Sequence, residues 1–178
     1  MTAVPFKVMM TKTKHLVILA IFVSQALILS LIESWIAIPS PVPGVKLGLA
    51  NIITLVTLVF FSLKDTLGVV TVRCLLGSLL GGGLILFPYS LAGGLLSTVV
   101  MYLFRRKMDK SFSLLGISIA GAIAHNIGQL TVAAFMTGGF AVFGYLPVLM
   151  ISGILMGCFI GLTARLLINA LKKTRMFG

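Results

Sequence analysis

The chain has 178 residues, of which 59% are hydrophobic and only 10% are charged. Soluble domains carry about a quarter charged residues, so this composition excludes a soluble domain and predicts a membrane protein. The charge is unequal, with 14 Lys and Arg against 3 Asp and Glu. Because the basic residues fall between apolar runs, without interleaved aromatic side chains, they indicate membrane orientation and not nucleic-acid binding.

Apolar runs along the chain predict an all-α integral membrane protein with six transmembrane helices. The run from 66 to 104 is too long for one crossing, and its helix breakers, the glycines at 81–83 and Pro88, predict two helices there. The spans are expected at about 16–36, 47–63, 66–82, 86–104, 112–136 and 145–171.

The basic residues predict the orientation of these spans. One side of the membrane would receive the basic residues of the first segment, Lys64, the cluster at 105–110 and the basic tail, and the other side only Lys46. The positive-inside rule then places both termini in the cytoplasm. We therefore expect a cytoplasmic segment at 1–15, a single transmembrane domain at 16–171 and a cytoplasmic tail at 172–178.

Small residues at four-residue spacing predict close contacts between helices in lipid. They form one ladder on the fifth span and one on the sixth: Gly116, Ala120, Ala124 and Gly128, then Gly153, Gly157 and Gly161. Packing within the bundle is the favoured interpretation, and docking of another subunit is the alternative.

Polar side chains inside the spans are candidate ligand contacts, because each is costly in hydrocarbon. His125, Asn126 and Gln129 offer more donors and acceptors than helix packing requires, which favours a polar cavity over a single histidine bonded to a neighbouring helix. Arg73 has two open interpretations: it snorkels or forms an ion pair, or it contacts a ligand.

A second polar group lies near the outer ends of the first two spans. It contains Glu33, Trp35, Lys46 and Asn51. Trp35 alone is typical of an interface anchor, and the charged pair alone is typical of solvated residues. If helices one, two and five are neighbours, however, this group forms the mouth of a pocket whose floor is His125 and Gln129. The cations Arg73 and Lys46 favour an anionic ligand.

Catalysis by this chain alone is not expected. The three acidic residues are distant from one another in the sequence, so they form neither an Asp-rich magnesium motif nor a carboxylate pair. The chain also lacks the Gly-x-x-x-x-Gly-Lys-Ser/Thr loop that binds ATP. We predict a protein that is not an enzyme and holds no metal or cofactor.

Three segments resemble the family called heptaprenyl diphosphate synthase component I, or Gx transporter. They are residues 41–51 (Pro-Val-Pro-Gly-Val-Lys-Leu-Gly-Leu-Ala-Asn), Arg73 to Gly77 and Ala124 to Leu130. That family is similar in size and six-helix plan to the substrate-binding S components of energy-coupling factor importers. The resemblance implies a bacterial cytoplasmic membrane, a substrate pocket, and docking to a transmembrane coupling protein through small residues such as Ala20 and Ser24.

The resemblance leaves two functions open. The first is a substrate-binding subunit that captures a small organic molecule, with ATP hydrolysed by separate subunits. The second is a non-catalytic membrane partner in polyprenyl diphosphate or menaquinone metabolism, or in flavin-based extracellular electron transfer. The absence of Asp-rich motifs favours the first.

Overall fold

The computed structural model of the chain describes residues 11–35, 46–81, 83–106 and 113–174, which form six α-helices and two short 3-10 helices. The α-helices are α1 (Lys12–Trp35), α2 (Asn51–Phe60), α3 (Leu63–Gly81), α4 (Phe87–Arg106), α5 (Leu114–Thr137) and α6 (Leu146–Lys173). The 3-10 helices Leu84–Leu86 and Phe140–Tyr145 lead into α4 and α6. The all-helical fold predicted from the hydropathy pattern is confirmed for these residues.

Four helical segments are long and apolar enough to cross a membrane, which supports a membrane protein. They are α1, α4 with its 3-10 turn, α5, and α6 with its 3-10 turn. The second apolar run differs from its expected length, because α2 has ten residues and extends about 15 Å, half the thickness of the hydrocarbon layer. Six crossings and cytoplasmic termini stay predictions.

Glycines end two of the helices where the sequence pattern places breaks. α3 ends at Gly81, and Gly83 adopts a φ of +80° before α4 begins. α5 ends at Gly138, whose φ is +65°. A left-handed backbone strains any residue with a Cβ, so glycine is favoured at these two positions. They mark the ends of α3 and α5.

Helix α2 lies at the centre of the bundle. Helices α1, α3, α4, α5 and α6 contact one another in that order, and α2 contacts all five. Nine of its ten residues are buried, which explains why the run is apolar on every face. The main apolar core lies along the length of α2, from Ile52 to Phe60, and also includes Ile18, Phe22, Met101, Ile117 and Ile160.

The glycines of α6 lie directly on α5. A Cβ added to Gly157 would stand 2.5 Å from the Cα of Ile119, and one added to Gly161 would stand 3.1 Å from the Cα of Leu115. On α5, Gly128 lies against α4, where an added Cβ would be 2.8 Å from the carbonyl oxygen of Ala92. Close approach of these three helices therefore depends on missing side chains.

Candidate functional site

Polar side chains are buried around the N-terminal end of α2. They come from four helices, α1, α2, α3 and α5, and none exposes more than 4% of its surface: Glu33, Asn51, Arg73, His125 and Gln129. Four of these five were predicted to share a pocket, and Arg73 was the residue whose role stayed open. The structure brings all five into the same end of the bundle.

Glu33 holds the end of α1 against the start of α2. Its carboxylate accepts hydrogen bonds from the backbone N–H groups of Gly48 and Leu49, the second at 3.2 Å. A carboxylate at this point also faces the positive end of the α2 dipole. Glu33 is therefore already partnered by the protein backbone, and the chain turns between these contacts at Gly48, whose φ is +84°.

Gln129 forms a second tie to the segment before α2. Its side-chain oxygen accepts a hydrogen bond of 3.2 Å from the backbone N–H of Lys46. The Lys46 side chain lies outside the helices, and burial lowers the pKa of its ammonium group, an effect that Glu33 opposes and Arg73 reinforces. Helix α5 and the end of α1 thus fix the backbone at 46–49 from two sides.

Three glycines let the polar side chains approach one another. A Cβ on Gly48 would lie 2.9 Å from Nδ2 of Asn51 and 3.4 Å from Cδ2 of His125. On α4, a Cβ on Gly93 would lie 3.0 Å from both Cγ of Gln129 and Cε1 of His125.

The neighbouring Gly94 receives the side chain from α3. A Cβ there would lie 3.2 Å from Nη2 of Arg73. Because Gly93 and Gly94 are consecutive, the guanidinium from α3 and the two side chains from α5 meet the same stretch of α4. We call Asn51, Arg73, His125 and Gln129, with these two glycines, the polar cluster.

Several atoms of the polar cluster have no hydrogen-bond partner among the described residues. They are both amide atoms of Asn51, Nε and Nη2 of Arg73, Nδ1 of His125 and Nε2 of Gln129. Leaving a buried polar atom unpaired costs about 1–3 kcal/mol, and more when the group is charged. Such a concentration indicates a partner that the described part of the chain does not supply, such as a bound molecule or water.

Other predicted site residues lie elsewhere. Asn126 points toward α6, where its Nδ2 donates a hydrogen bond of 2.7 Å to the carbonyl oxygen of Leu149. Trp35 is 82% exposed at the end of α1. Residues 36–45, which connect the first two predicted spans beside the mouth of the predicted pocket, lie outside the described part of the chain.

The predicted docking and packing residues also have defined places. Ala20 and Ser24 are exposed on α1, and the Ser24 hydroxyl donates to the Ala20 carbonyl oxygen at 3.0 Å. On α5, Ala124 is buried, whereas Gly116 and Ala120 are half-buried.

Sequence reasoning missed the part that α4 takes in this site. Gly93 and Gly94 were not singled out, although two adjacent glycines inside an apolar run, with Ser97 one turn later, are a usable signal. Within the ranges that the structure covers, no three His, Cys, Asp or Glu side chains come together as metal ligands would.

These features define a membrane-embedded helical bundle with a polar cluster buried beside its central helix. The chain matches the sequence profile described as heptaprenyl diphosphate synthase component I over residues 22–167. Because the match covers most of the chain, the protein belongs to this family, as its motifs predicted. The description names one component of a synthase, which implies a partner subunit. No curated protein and no solved structure matched the chain.

Proposed function

We propose that this protein is the membrane-embedded substrate-binding subunit of an importer of the energy-coupling factor type, and that it captures a small organic molecule. One observation carries the proposal: a group of buried donors and acceptors from three helices has no partner in the described chain. Helix packing alone would select apolar or fully bonded side chains at these positions. Ligand binding gives a reason to retain them.

ATP hydrolysis and coupling, the other functions that an importer needs, would belong to separate subunits. The sequence has no nucleotide-binding loop, so energy for import would come from a separate ATPase. Ala20 and Ser24 offer small, exposed side chains on α1, where a coupling protein in the membrane could approach the helix backbone closely. The proposed docking face is thus exposed on α1, whereas the proposed ligand site is buried among α2, α3 and α5.

Two variants can separate these roles when the protein is purified from its native membranes. Gln129→Leu should lose the bound small molecule and still copurify with a coupling protein and an ATPase. Ser24→Trp should retain the small molecule and lose these partners. Leu79→Trp is the matched control, because it adds the same bulk at an exposed position of α3 and should change neither property.

Failure of this pattern would overturn the proposal. If no variant and no wild-type sample copurifies with an ATPase, the protein is not a subunit of such an importer. If Leu79→Trp loses the partners as fully as Ser24→Trp, the docking face is not on α1.

The second candidate is a non-catalytic membrane partner in polyprenyl diphosphate or menaquinone metabolism or in flavin-based extracellular electron transfer. The family description, which names a polyprenyl diphosphate synthase component, favours the first of these roles. In that case the same purification should recover a prenyltransferase or a redox lipoprotein in place of the ATPase. The identity of the copurified subunit decides between the two.

A further inference from the structure

We propose that the molecule bound at the polar cluster is a monoanion whose carboxylate group is held by the Nε and Nη2 edge of Arg73. This inference rests on the proposed function, because it names the class of ligand that the same site takes. It also separates the two candidate functions, since a diphosphate would not suit the site.

The free edge of Arg73 is the first observation. The side chain exposes only 4% of its surface, and both Nε and Nη2 are unpaired. The N–H groups of one guanidinium edge are parallel and coplanar, so they match two oxygens of a carboxylate in a bidentate contact. A buried guanidinium with this edge unused is costly, and an anionic ligand would remove that cost.

No acidic side chain in the described chain takes this edge. Among these residues the one ion pair within 4.0 Å joins His15 and Asp65. Glu33 is the only other described acidic residue, and its two oxygens accept the backbone N–H groups of Gly48 and Leu49. The Glu33 carboxylate therefore acts on Arg73 only through space, without a direct bond. A direct partner for the Nε and Nη2 edge must come from outside this part of the protein.

The surroundings of Arg73 offer further hydrogen-bonding groups to a bound anion. Its Nη2 lies at Gly94, and the adjacent Gly93 contacts the side chain of Gln129, whose Nε2 is also unpaired. A ligand oxygen bound to Nη2 of Arg73 would therefore find a second hydrogen-bond donor nearby, the Nε2 group of Gln129. His125 adds a ring nitrogen, Nδ1, for a neutral polar group next to the carboxylate.

The charges near the site favour one negative charge over several. Lys46 and Arg73 supply at most two positive charges, and the Glu33 carboxylate opposes one of them. Residues 36–45 contain no charged side chain, so that segment adds no cation. A phosphate monoester carries about −1.5 to −2 at pH 7 and a diphosphate more, which would leave uncompensated charge in the bundle.

The inference can be tested on the ligand extracted from the full-length purified protein. Methyl esterification followed by mass spectrometry should show at least one carboxyl group, and phosphatase treatment should leave the mass unchanged. Ligand occupancy should fall about 10- to 100-fold in Arg73→Gln, as expected for a lost charge-assisted contact. Arg73→Lys keeps the positive charge but loses the two parallel N–H donors, so its ligand occupancy should also fall, by at least about 5-fold.

Arg165→Gln is the matched control, since it removes an exposed arginine and should keep wild-type occupancy. Elution as a single species in size-exclusion chromatography, for each variant, separates lost binding from lost folding. If Arg73→Lys binds as well as the wild type, or if the ligand has no carboxyl group, the inference is overturned. A neutral ligand in a protein that still copurifies with an ATPase would leave the proposed function intact.

A second measurement covers a protein that is purified without ligand. Thermal unfolding is followed with geranic and phenylacetic acid, and with the amide, phosphate and diphosphate that share each carbon skeleton. Either acid should raise the Tm of the wild type more than its amide or its phosphates, and this preference should vanish in Arg73→Gln. Stabilisation by a diphosphate above the acid, or no stabilisation by either acid, overturns the inference.

Discussion

The two ends of α2 are built on opposite principles although they are separated by only about 15 Å. At the C-terminal end, Val56 and Leu58 are fully buried among apolar side chains, and the Thr57 hydroxyl bonds to the carbonyl oxygen of Ile53 at 2.7 Å. At the N-terminal end, Asn51 is as deeply buried, but neither of its amide atoms has a partner among the described residues.

This contrast separates stability from function within one helix. At the apolar end, Val56 and Leu58 are buried in the main apolar core and the Thr57 hydroxyl has a hydrogen-bond partner, so we expect that end to hold the surrounding helices together. The polar end carries buried groups without a partner among the described residues, which lowers stability unless a partner from outside that part of the chain satisfies them. Mutations at the two ends should therefore change different measurements.

The largest loss of stability is expected from Leu58→Ala at the apolar end. Leu58 has no exposed surface, so truncation removes its contacts and leaves a cavity, at a cost of about 2–5 kcal/mol. Thermal unfolding in detergent measures the loss, and ligand occupancy per folded molecule should stay at the wild-type value. A loss below about 1 kcal/mol would show that this end is not the stabilising half.

Gly93→Ala should damage both properties, because it overfills the polar end. The added methyl would lie 2.9 Å from the carbonyl oxygen of His125 and 3.0 Å from Cγ of Gln129. We expect a loss of about 1–3 kcal/mol in stability together with lost ligand binding.

Gly68→Ala is the control for that variant, since nothing lies within 4 Å of its added Cβ. Alanine there should preserve ligand occupancy and should not lower the unfolding temperature. Equal damage from both substitutions would mean that Gly93 is not specially constrained by the polar cluster.

Asn51→Leu tests the contrast most directly. Leucine has a similar shape and removes two unpaired polar atoms, so stability should be unchanged or higher by about 1 kcal/mol. Ligand occupancy should fall in the same preparation. If the variant instead loses more than about 2 kcal/mol, Asn51 has a structural role and the polar end is not held ready for a ligand.

The smallest effect is expected at a polar group whose partners are present. Asp65 accepts hydrogen bonds from the backbone and hydroxyl of Ser62 and pairs with His15 at 3.2 Å. Burial raises the pKa of Asp65, but these contacts outweigh burial and hold its pKa below the usual 3.8. A lowered pKa stabilises the fold above the unfolded value, and this contribution is lost as pH falls through the folded value.

Asp65→Asn should therefore lower stability by about 0.5 kcal/mol at pH 7, the usual size for a half-exposed pair. Wild type and variant should converge at an acidic pH below 3.8, because the wild-type carboxyl takes up its proton below that usual pKa. Unfolding temperatures at the two pH values measure the gap. An equal difference in unfolding temperature at both pH values would show that the loss of stability does not come from the charge of Asp65.

Much of this architecture follows from local pattern. Composition indicates lipid as the solvent, and the glycines at 81–83, together with Pro88, predict the break that follows α3. The position of α2 could not be predicted in this way. Hydropathy reports that a run is apolar, but it does not distinguish a helix surrounded by lipid from a short helix surrounded by protein.

The candidate site shows the same division. The grouping of Asn51, His125 and Gln129 was predictable, since polar residues inside apolar runs need a common polar environment. The direction of Asn126 was not, because adjacent residues on a helix point about 100° apart and only the neighbouring helix decides which of them is partnered. The contribution of Gly93 and Gly94 depends on what lies opposite them.

The sequence alone determined the solvent, the helical class, the family and the short inventory of polar groups, because these depend on composition and local order. Tertiary structure decided which of those groups are satisfied. Glu33 is partnered by the backbone at the start of α2, whereas the Nε and Nη2 edge of Arg73 is left open beside Gly94. Hydrogen-bond partners from four separate helices depend on three-dimensional packing, which one-dimensional spacing does not specify.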